Sequence, residues 1–241
     1  MDRMQDVTAW KEISLEGWKE VLIGEMLLLS FLSKAFQSYP DVEWLQSLVA
    51  DNIFDESPLG DTHSDLGLGL FMLQDWSERN KNGISNEQFN RLKEDYIRMF
   101  IGLDEILAPP WESVYFNRAR MVFQEKTIQV RKWYRRFGLE TQKLHKEPDD
   151  HIGLEMSFLS YLSGAALQAL EENNQNGFEQ LLDAQKQFLF EHLLKWGPHW
   201  CSLVKEKSQT DFYQGLAVLT NGTLQSLADY YKVEMVEEQR S

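Results

Sequence analysis

Nearly every long segment of this sequence repeats its apolar residues every three or four positions. No segment alternates apolar and polar residues for long enough to indicate a sheet. Between Trp18 and Phe36 the apolar residues largely follow the helical spacing, and Pro40 ends that run. Because amphipathic helices must bury their apolar stripes against other elements, this pattern restricts the chain to packed helices. We therefore predict an all-α protein.

Loop-forming residues divide the chain into the predicted helices. After the first helix, we predict further helices over residues 41–49, 64–79, 86–100, 113–137, 150–170, 178–196 and 210–231. We expect Gly197 and Pro198 to break the helix that precedes them, and Thr220-Asn221-Gly222 to interrupt the period of the last one. No repeat, low-complexity tract or linker divides the chain. The prediction is a single compact helical domain of roughly ten helices over residues 1–241.

The composition limits the partners and the compartment. Of the 241 residues, 43% are hydrophobic and 12% aromatic, which is ample for a buried core. A net charge of −14 disfavours nucleic acid and anionic membranes and favours a basic partner. Cys201 is the single cysteine, so no intramolecular disulfide can form, and a reducing compartment fits. The start of the chain lacks the pattern of a secretory signal, and the apolar run at 26–32 is too short for a membrane span. We expect a cytoplasmic protein without stable membrane insertion.

Four ionisable residues surround one proline in the segment that runs from Glu147 to His151. The pattern is typical of a helix start, with Pro148 at the first helical position and the carboxylates of Asp149 and Asp150 in the first turn. Adjacent side chains on a helix point about 100° apart, so Asp150 and His151 do not form an acid–base dyad. From these residues alone, a capped helix and a functional site are equally good interpretations.

This segment resembles the E-P-x-D-H signature of the TorD/DmsD family of redox-enzyme maturation chaperones. Four further segments are similar to family motifs in the correct order. They are residues 96–102, followed by 109–115 with their Pro-Pro-Trp start; residues 191–196 with His192 and Trp196; and residues 212–217. The agreement covers roughly residues 90–230, while the first ninety residues match only in character.

The resemblance implies an all-helical chaperone that is not an enzyme and needs no cofactor. Its partner would be the twin-arginine signal peptide, or the apo form, of a molybdoenzyme catalytic subunit. The implied peptide-binding residues form an apolar set and a polar set: Tyr96, Phe100, Pro110, Trp111 and Tyr115, with Glu147, Pro148, Asp150 and His151. We expect Asp150 and Glu147 to meet the arginines, and His151 to hydrogen-bond a peptide carbonyl or the aspartate backbone.

The resemblance also indicates a hinge near residues 138–149, since some family members exchange halves. The protein would then be a monomer or a hinge-exchanged dimer. Core packing is the alternative interpretation for the aromatic residues, and it is the favoured one for Phe100. For Trp111, beside two prolines at a loop–helix junction, exposure in a groove is favoured.

Other functions have weaker support in the sequence. The basic run from Arg118 to Arg136 is more typical of a solvated face, or of a helix that pairs with the acidic remainder, than of a nucleic-acid site. His192, His199 and Cys201 lack the spacing of a metal site, and no phosphate-binding loop is present. The main alternative function is a small hydrolase or nucleotide-hydrolysing protein that uses Asp150 and His151.

Overall fold

The structure is a computed structural model, and it describes residues 13–60, 62–102, 105–117, 119–140 and 147–233. These residues form ten α-helices and no β-strand, which confirms the all-α prediction. The helices are α1 (Leu15–Gln37), α2 (Val42–Ala50), α3 (Ser64–Arg79), α4 (Asn86–Tyr96), α5 (Glu112–Phe116), α6 (Glu125–Arg136), α7 (Ile152–Glu171), α8 (Gln175–Phe188), α9 (Leu194–Lys207) and α10 (Asp211–Tyr230). Two π-helical segments, Ile97–Ile101 and Leu189–Leu193, extend α4 and join α8 to α9.

The helices pack in pairs around one buried core. Helix α1 lies against α7, α3 and α9 lie against α10, and α7 lies against α8. Large aromatic side chains fill the centre, among them Trp18, Trp196, Trp200, Phe178 and Phe188. Among the residues that the structure describes, no helix has the length and apolar character that crossing a bilayer requires.

Several helix starts lie where the sequence predicts them. Asp41 caps α2, since its side chain accepts a hydrogen bond from the backbone N–H of Trp44 at 2.8 Å. Helix α3 begins at Ser64 and ends at Arg79, as predicted. Ser85 and Gln88 form a reciprocal capping box at the start of α4.

The single helix predicted over 113–137 is wrong, because the chain forms α5 and α6 with a loop between them. Asn117 holds this loop: its amide nitrogen donates to the Met121 carbonyl and its oxygen accepts from the Met121 N–H, both at 2.9 Å. Arg120 and Phe123 adopt left-handed backbone conformations, with φ of 51° and 59°. The side-chain hydrogen bonds of one asparagine therefore replace the backbone bonds of a helical turn.

The predicted break at Gly197 and Pro198 is also wrong, because α9 continues through Pro198. Proline removes one backbone hydrogen bond. Here it lies one turn after the π-helical segment Leu189–Leu193, where the hydrogen-bonding pattern already changes register. The hydrogen bond that Pro198 cannot donate would have gone to the carbonyl of Leu194, the residue at which the π-helical segment passes into α9.

The predicted interruption at residues 220–222 is also wrong, because α10 continues through them. Small residues at this point allow α10 to pack against α3. A Cβ atom on Gly222 would lie 2.1 Å from the backbone nitrogen of Leu66 in α3. One on Gly69 would lie 2.4 Å from the backbone nitrogen of Leu219. The glycines therefore let the α3 and α10 backbones come into direct contact.

One carboxylic acid lies inside this bundle. Glu25 of α1 is fully buried, and its Oε2 accepts a hydrogen bond from the Tyr231 hydroxyl at 2.9 Å. Burial raises the pKa of Glu25 to about 8, although hydrogen bonds from Tyr231 and Ser163 act in the opposite direction. Glu25 is therefore mostly protonated at neutral pH and holds the end of α10 against α1.

Candidate functional site

The two segments that carry most of the family resemblance meet in space. Trp111 and His151 form an isolated antiparallel bridge. The Glu112 N–H donates to the Asp150 carbonyl at 2.9 Å, and the Ile152 N–H donates to the Pro110 carbonyl at 2.8 Å. Helices α5 and α7 therefore begin side by side at this bridge. We call residues 109–115 and 147–155 the signature face.

Asp150 lies beneath the surface and fixes the start of α5. Its side chain is fully buried, and its two oxygens accept hydrogen bonds from the Ser113 N–H and the Thr127 hydroxyl, both at 2.7 Å. Burial raises the pKa of Asp150, and hydrogen bonds from Ser113 and Thr127 limit the rise. In this structure a guanidinium group from outside has no access to Asp150, so the residue supports the site from below.

His151 caps α7. Its Nδ1 accepts the Gly153 N–H at 3.1 Å, which places the proton of a neutral ring on Nε2. Gly153 is required here because a Cβ atom would lie 2.5 Å from Cγ of Gln37 in α1.

Helix α7 begins at Ile152, so the expectation that Pro148 occupies its first position is wrong. The reason is that Asp150 uses its backbone carbonyl and its carboxylate to organise α5. Both groups of Asp150 therefore bind α5, and α7 begins two residues later in the chain, at Ile152.

The basic side chains of α6 neutralise acids beneath the signature face. Arg131 binds Asp149 with nitrogen–oxygen distances of 2.6 and 2.7 Å. Lys126 lies 3.0 Å from Oε1 of Glu112, whose Oε2 is 2.7 Å from Nδ1 of His192. Part of this basic helix thus pairs with the acidic remainder of the chain, while Arg118 lies outside the described residues. Sequence reasoning missed the roles of Glu112 and His192, which only the fold brings together.

Glu155 is a further acid in this interior. It is fully buried, and neither of its oxygens has a hydrogen-bond partner in the described ranges. Burial raises its pKa well above the usual value, and the nearby carboxylates of Glu112 and Asp150 raise it further. The Trp196 indole lies near enough to lower this pKa slightly, but not in hydrogen-bonding geometry. Burial and the two neighbouring carboxylates therefore both disfavour the charged form of Glu155.

The predicted aromatic residues separate into two groups. Tyr96 and Phe100 share a helix face, with ring centroids 5.2 Å apart, but both are buried at 5% and 3% exposure. The Tyr96 hydroxyl donates to the Phe36 carbonyl at 3.0 Å, and the Phe100 ring packs edge-on against Phe36. In this structure these two residues belong to the core and do not line an open groove.

Trp111, Tyr115 and Glu147 are half-buried and lie at the surface of the signature face. The Trp111 indole N–H donates to Oε1 of Glu147 at 2.9 Å, so the apolar ring and an acid occur together. The Tyr115 ring stacks on Trp196, and its hydroxyl donates to the Pro109 carbonyl at 2.8 Å. Pro110 and Pro148 are buried beside them. Of the predicted site residues, Trp111, Tyr115 and Glu147 are therefore the ones that are partly exposed at the surface.

Three further features bear on the alternative functions and on the predicted hinge. Within the described ranges, no group of three or more His, Cys, Asp or Glu side chains is arranged to hold a metal ion. Both side-chain oxygens of Asp150 and the Nδ1 atom of His151 are hydrogen-bonded to groups at neighbouring helix starts. Residues 141–146 of the predicted hinge lie outside the described part of the chain. Domain exchange stays a prediction.

Comparison with known proteins gives a family match that includes both segments of the signature face. A profile of the nitrate reductase delta subunit family matches residues 65–202, which is more than half of the chain and contains both signature segments. The chain belongs to this family. The sequence resemblance to TorD and DmsD proteins is therefore confirmed.

Three relatives illustrate the relationship. The chain is 34% identical over 134 residues to a probable Tat proofreading chaperone DmsD from Haemophilus influenzae, covering 56% of the chain and 59% of that protein. It is 30% identical over 122 residues to the chaperone protein TorD of Aliivibrio salmonicida, covering 51% and 55%. TorD of Vibrio parahaemolyticus is 26% identical over 220 residues, covering 90% and 93%. The matches thus span little more than half the length of the first two relatives.

Proposed function

We propose that this protein is a chaperone for a molybdenum-containing oxidoreductase. It binds the twin-arginine signal peptide of the catalytic subunit, the apo form of that subunit, or both, while the cofactor is loaded before export. Binding is reversible shielding and involves no reaction. Its place of action is then the cytoplasm. Membership of the nitrate reductase delta subunit family supports this proposal, as do relatives described as Tat proofreading chaperones.

The observation that carries the proposal is the half-buried Trp111–Glu147 pair on the signature face. A signal peptide presents positive charges followed by an apolar stretch. An aromatic ring that is hydrogen-bonded to a carboxylate provides complementary groups for both parts. The buried network under the pair holds the two helix starts in place. Such a preorganised surface reduces the entropy that is lost on binding.

The electrostatics of the whole chain support a basic partner. Its net charge of −14 attracts the positive start of a signal peptide and accelerates encounter. The hydrolase alternative has less support, because both oxygens of Asp150 and the Nδ1 atom of His151 are engaged in starting helices. A general base needs a free acceptor within reach of substrate.

Calorimetric titration of the full chain with a twin-arginine signal peptide tests the proposal. A peptide of the same composition in scrambled order is the control for non-specific attraction between an acidic protein and a basic peptide. We expect saturable binding of the ordered peptide and much weaker binding of the scrambled one. Equal binding of both peptides would refute the proposal, as would turnover of nucleotides or esters without specific peptide binding.

A further inference from the structure

A groove of about 630 Å³ lies next to the signature face and extends from α5 along α6 to the π-helical segment before α9. Its lining includes Ser113 and Phe116 from α5, Glu125 and Gln129 from α6, and Glu191. Ser113 is 1% exposed, and its hydroxyl, although close to Asp150, has no hydrogen-bond partner in the described residues. This hydroxyl lies at the floor of the groove without a partner in hydrogen-bonding geometry, although it is near enough to Asp150 to lower the pKa of that acid.

Two carboxylates of this groove lack a cationic partner among the described residues. Glu125 is exposed, and its Oε1 accepts a hydrogen bond from the Gln129 amide at 3.0 Å. Glu191 is exposed too, and its Oε2 accepts the Trp133 indole N–H at 3.3 Å. These neutral donors orient each carboxylate and leave its charge unbalanced. Both groups are therefore ready for a charge-assisted hydrogen bond.

The lysines of the groove do not cancel these charges. Lys126 is paired with the buried Glu112 at 3.0 Å and covers the Phe116 ring at 4.6 Å. Its ammonium group also donates to the backbone carbonyl of Glu191 at 3.4 Å, not to the Glu191 carboxylate. Lys195 lies over the Phe190 ring at 5.4 Å. The lining holds two acids, Glu125 and Glu191, and two lysines, and Lys126 is already balanced by Glu112 beneath it, so one negative charge is left over. It consequently favours a cationic ligand over an anionic one.

The positions of the two acids fit a pair of cations. Glu125, Gln129 and Trp133 are four residues apart and share one face of α6. Trp133 holds Glu191 at the far end of this face. Eight residues of helix rise about 12 Å, so the two carboxylates can each meet one of two neighbouring long side chains. A guanidinium group matches a carboxylate through two parallel hydrogen bonds, which a lysine cannot make.

Apolar side chains continue from this groove along the chain. Met121 and Phe123 in the loop, and Ile128 on α6, are each between 43% and 53% exposed. Phe123 also adopts a left-handed backbone conformation that is strained for an aromatic residue. A groove with paired acids and nearby exposed apolar residues matches a ligand with paired cations followed by an apolar segment.

We propose that Glu125 and Glu191 bind the two guanidinium groups of the twin-arginine pair, one carboxylate to each arginine. This inference rests on the proposed function and assigns arginine recognition to acids outside the family signature. The signature acids Asp149 and Asp150 are buried and already bound, whereas Glu125 and Glu191 are open to solvent. The third signature acid, Glu147, is half-buried and bound by the Trp111 indole, and it remains for other positive charges of the peptide. The unused Ser113 hydroxyl supplies a donor for a carbonyl group of the same peptide.

The test compares the parent with the double variant Glu125→Gln and Glu191→Gln. Each is titrated with a twin-arginine signal peptide and with the same peptide carrying two lysines. Glu172→Gln with Glu179→Gln is the matched control, because Gln168 and Gln175 bond these acids as Gln129 bonds Glu125. Thermal unfolding monitors the fold of all variants.

We expect the parent and the control to prefer arginine over lysine. In the groove variant, affinity for the arginine peptide should fall by about tenfold or more, which corresponds to one lost charge-assisted contact or more, and the preference should vanish. An unchanged preference in the groove variant would refute this inference while leaving the proposed function intact. If the parent binds no twin-arginine peptide, the proposed function fails, and this inference fails with it.

Single variants with mixed peptides give a second test. If each acid serves one arginine, Glu125→Gln should remove the penalty for lysine at one of the two positions only. Glu191→Gln should remove it at the other position. The same response of both variants to both peptides would contradict the one-to-one assignment.

Discussion

Replacement of Glu25 by glutamine should make the protein more stable at high pH and leave it unchanged in acid. The buried carboxyl group has a pKa of about 8 in the folded protein, against 4.5 as its ordinary value. Between these values the folded state holds a proton that the unfolded state releases. Stability therefore decreases as pH rises from 4.5 to 8, by about 1.4 kcal/mol per pH unit, and is then constant. The total is roughly 5 kcal/mol, and about 3 kcal/mol is already lost at pH 7.

Urea unfolding of parent and Glu25→Gln between pH 5 and pH 9 measures this effect. The difference between the two free energies of unfolding isolates Glu25, because all other titrating groups are common to both proteins. We expect the difference to be small at pH 5, to rise in favour of the variant, and to level off above pH 8. Glutamine can still accept the Tyr231 hydroxyl bond, so the packing of α10 is preserved. A difference that does not vary with pH would refute the assignment of a buried neutral acid.

Further predictions concern the site and the helix contacts. Trp111→Ala should weaken peptide binding by about 1–3 kcal/mol in calorimetry with little change in melting temperature, and a loss of several degrees instead would place Trp111 in the core. Asp150→Asn should lower the free energy of unfolding by about 1–3 kcal/mol, because its carboxylate accepts two buried hydrogen bonds; unaltered stability in urea would contradict this cap. Gly222→Ala should destabilise the protein by roughly 1–3 kcal/mol or more, since the methyl group meets the α3 backbone, and an unchanged melting temperature would contradict that contact. Affinity for a twin-arginine peptide should decrease, but not vanish, as the salt concentration rises from about 0.05 to 0.5 M, because salt screens the charges and not the apolar contacts. Calorimetry that shows no salt dependence would mean that the acidic residues do not contribute to binding.

Local signals in the sequence were sufficient for most of the helices. The cap at Asp41 and the loop at residues 51–62 act within one or two turns of chain. The sequence order also places a proline before each of the two signature helices. Pro198 and Gly222 were misjudged, because their effect depends on a preceding π-helical segment and on a partner helix. Neither of these is encoded near the residue itself.

The sequence indicated which residues belong to the site better than it indicated the role of each residue. Trp111 and Glu147 lie at the surface of the signature face, and peptide contact by Trp111 stays a prediction. Asp150, by contrast, bonds Ser113 and Thr127, which are 37 and 23 residues away in the sequence. Contacts over such separations are determined by the fold, and no local pattern reveals them. This is why the signature acid looked accessible from the sequence.

The charges beneath the signature face have a consequence for mutational studies of this family. Glu112 with Lys126, and Asp149 with Arg131, are pairs with one partner almost completely buried. Removal of one member of a buried pair leaves an uncompensated charge and costs several kcal/mol, even where the intact pair adds little. A substitution in one of these pairs can therefore abolish client binding because the fold beneath the signature face is destabilised. The residues that contact the client are then chemically unchanged. Loss of binding identifies a contact residue only when unfolding measurements show that the free energy of unfolding is unchanged. The exposed Glu125 and Glu191 meet this condition most readily, followed by the half-buried Trp111.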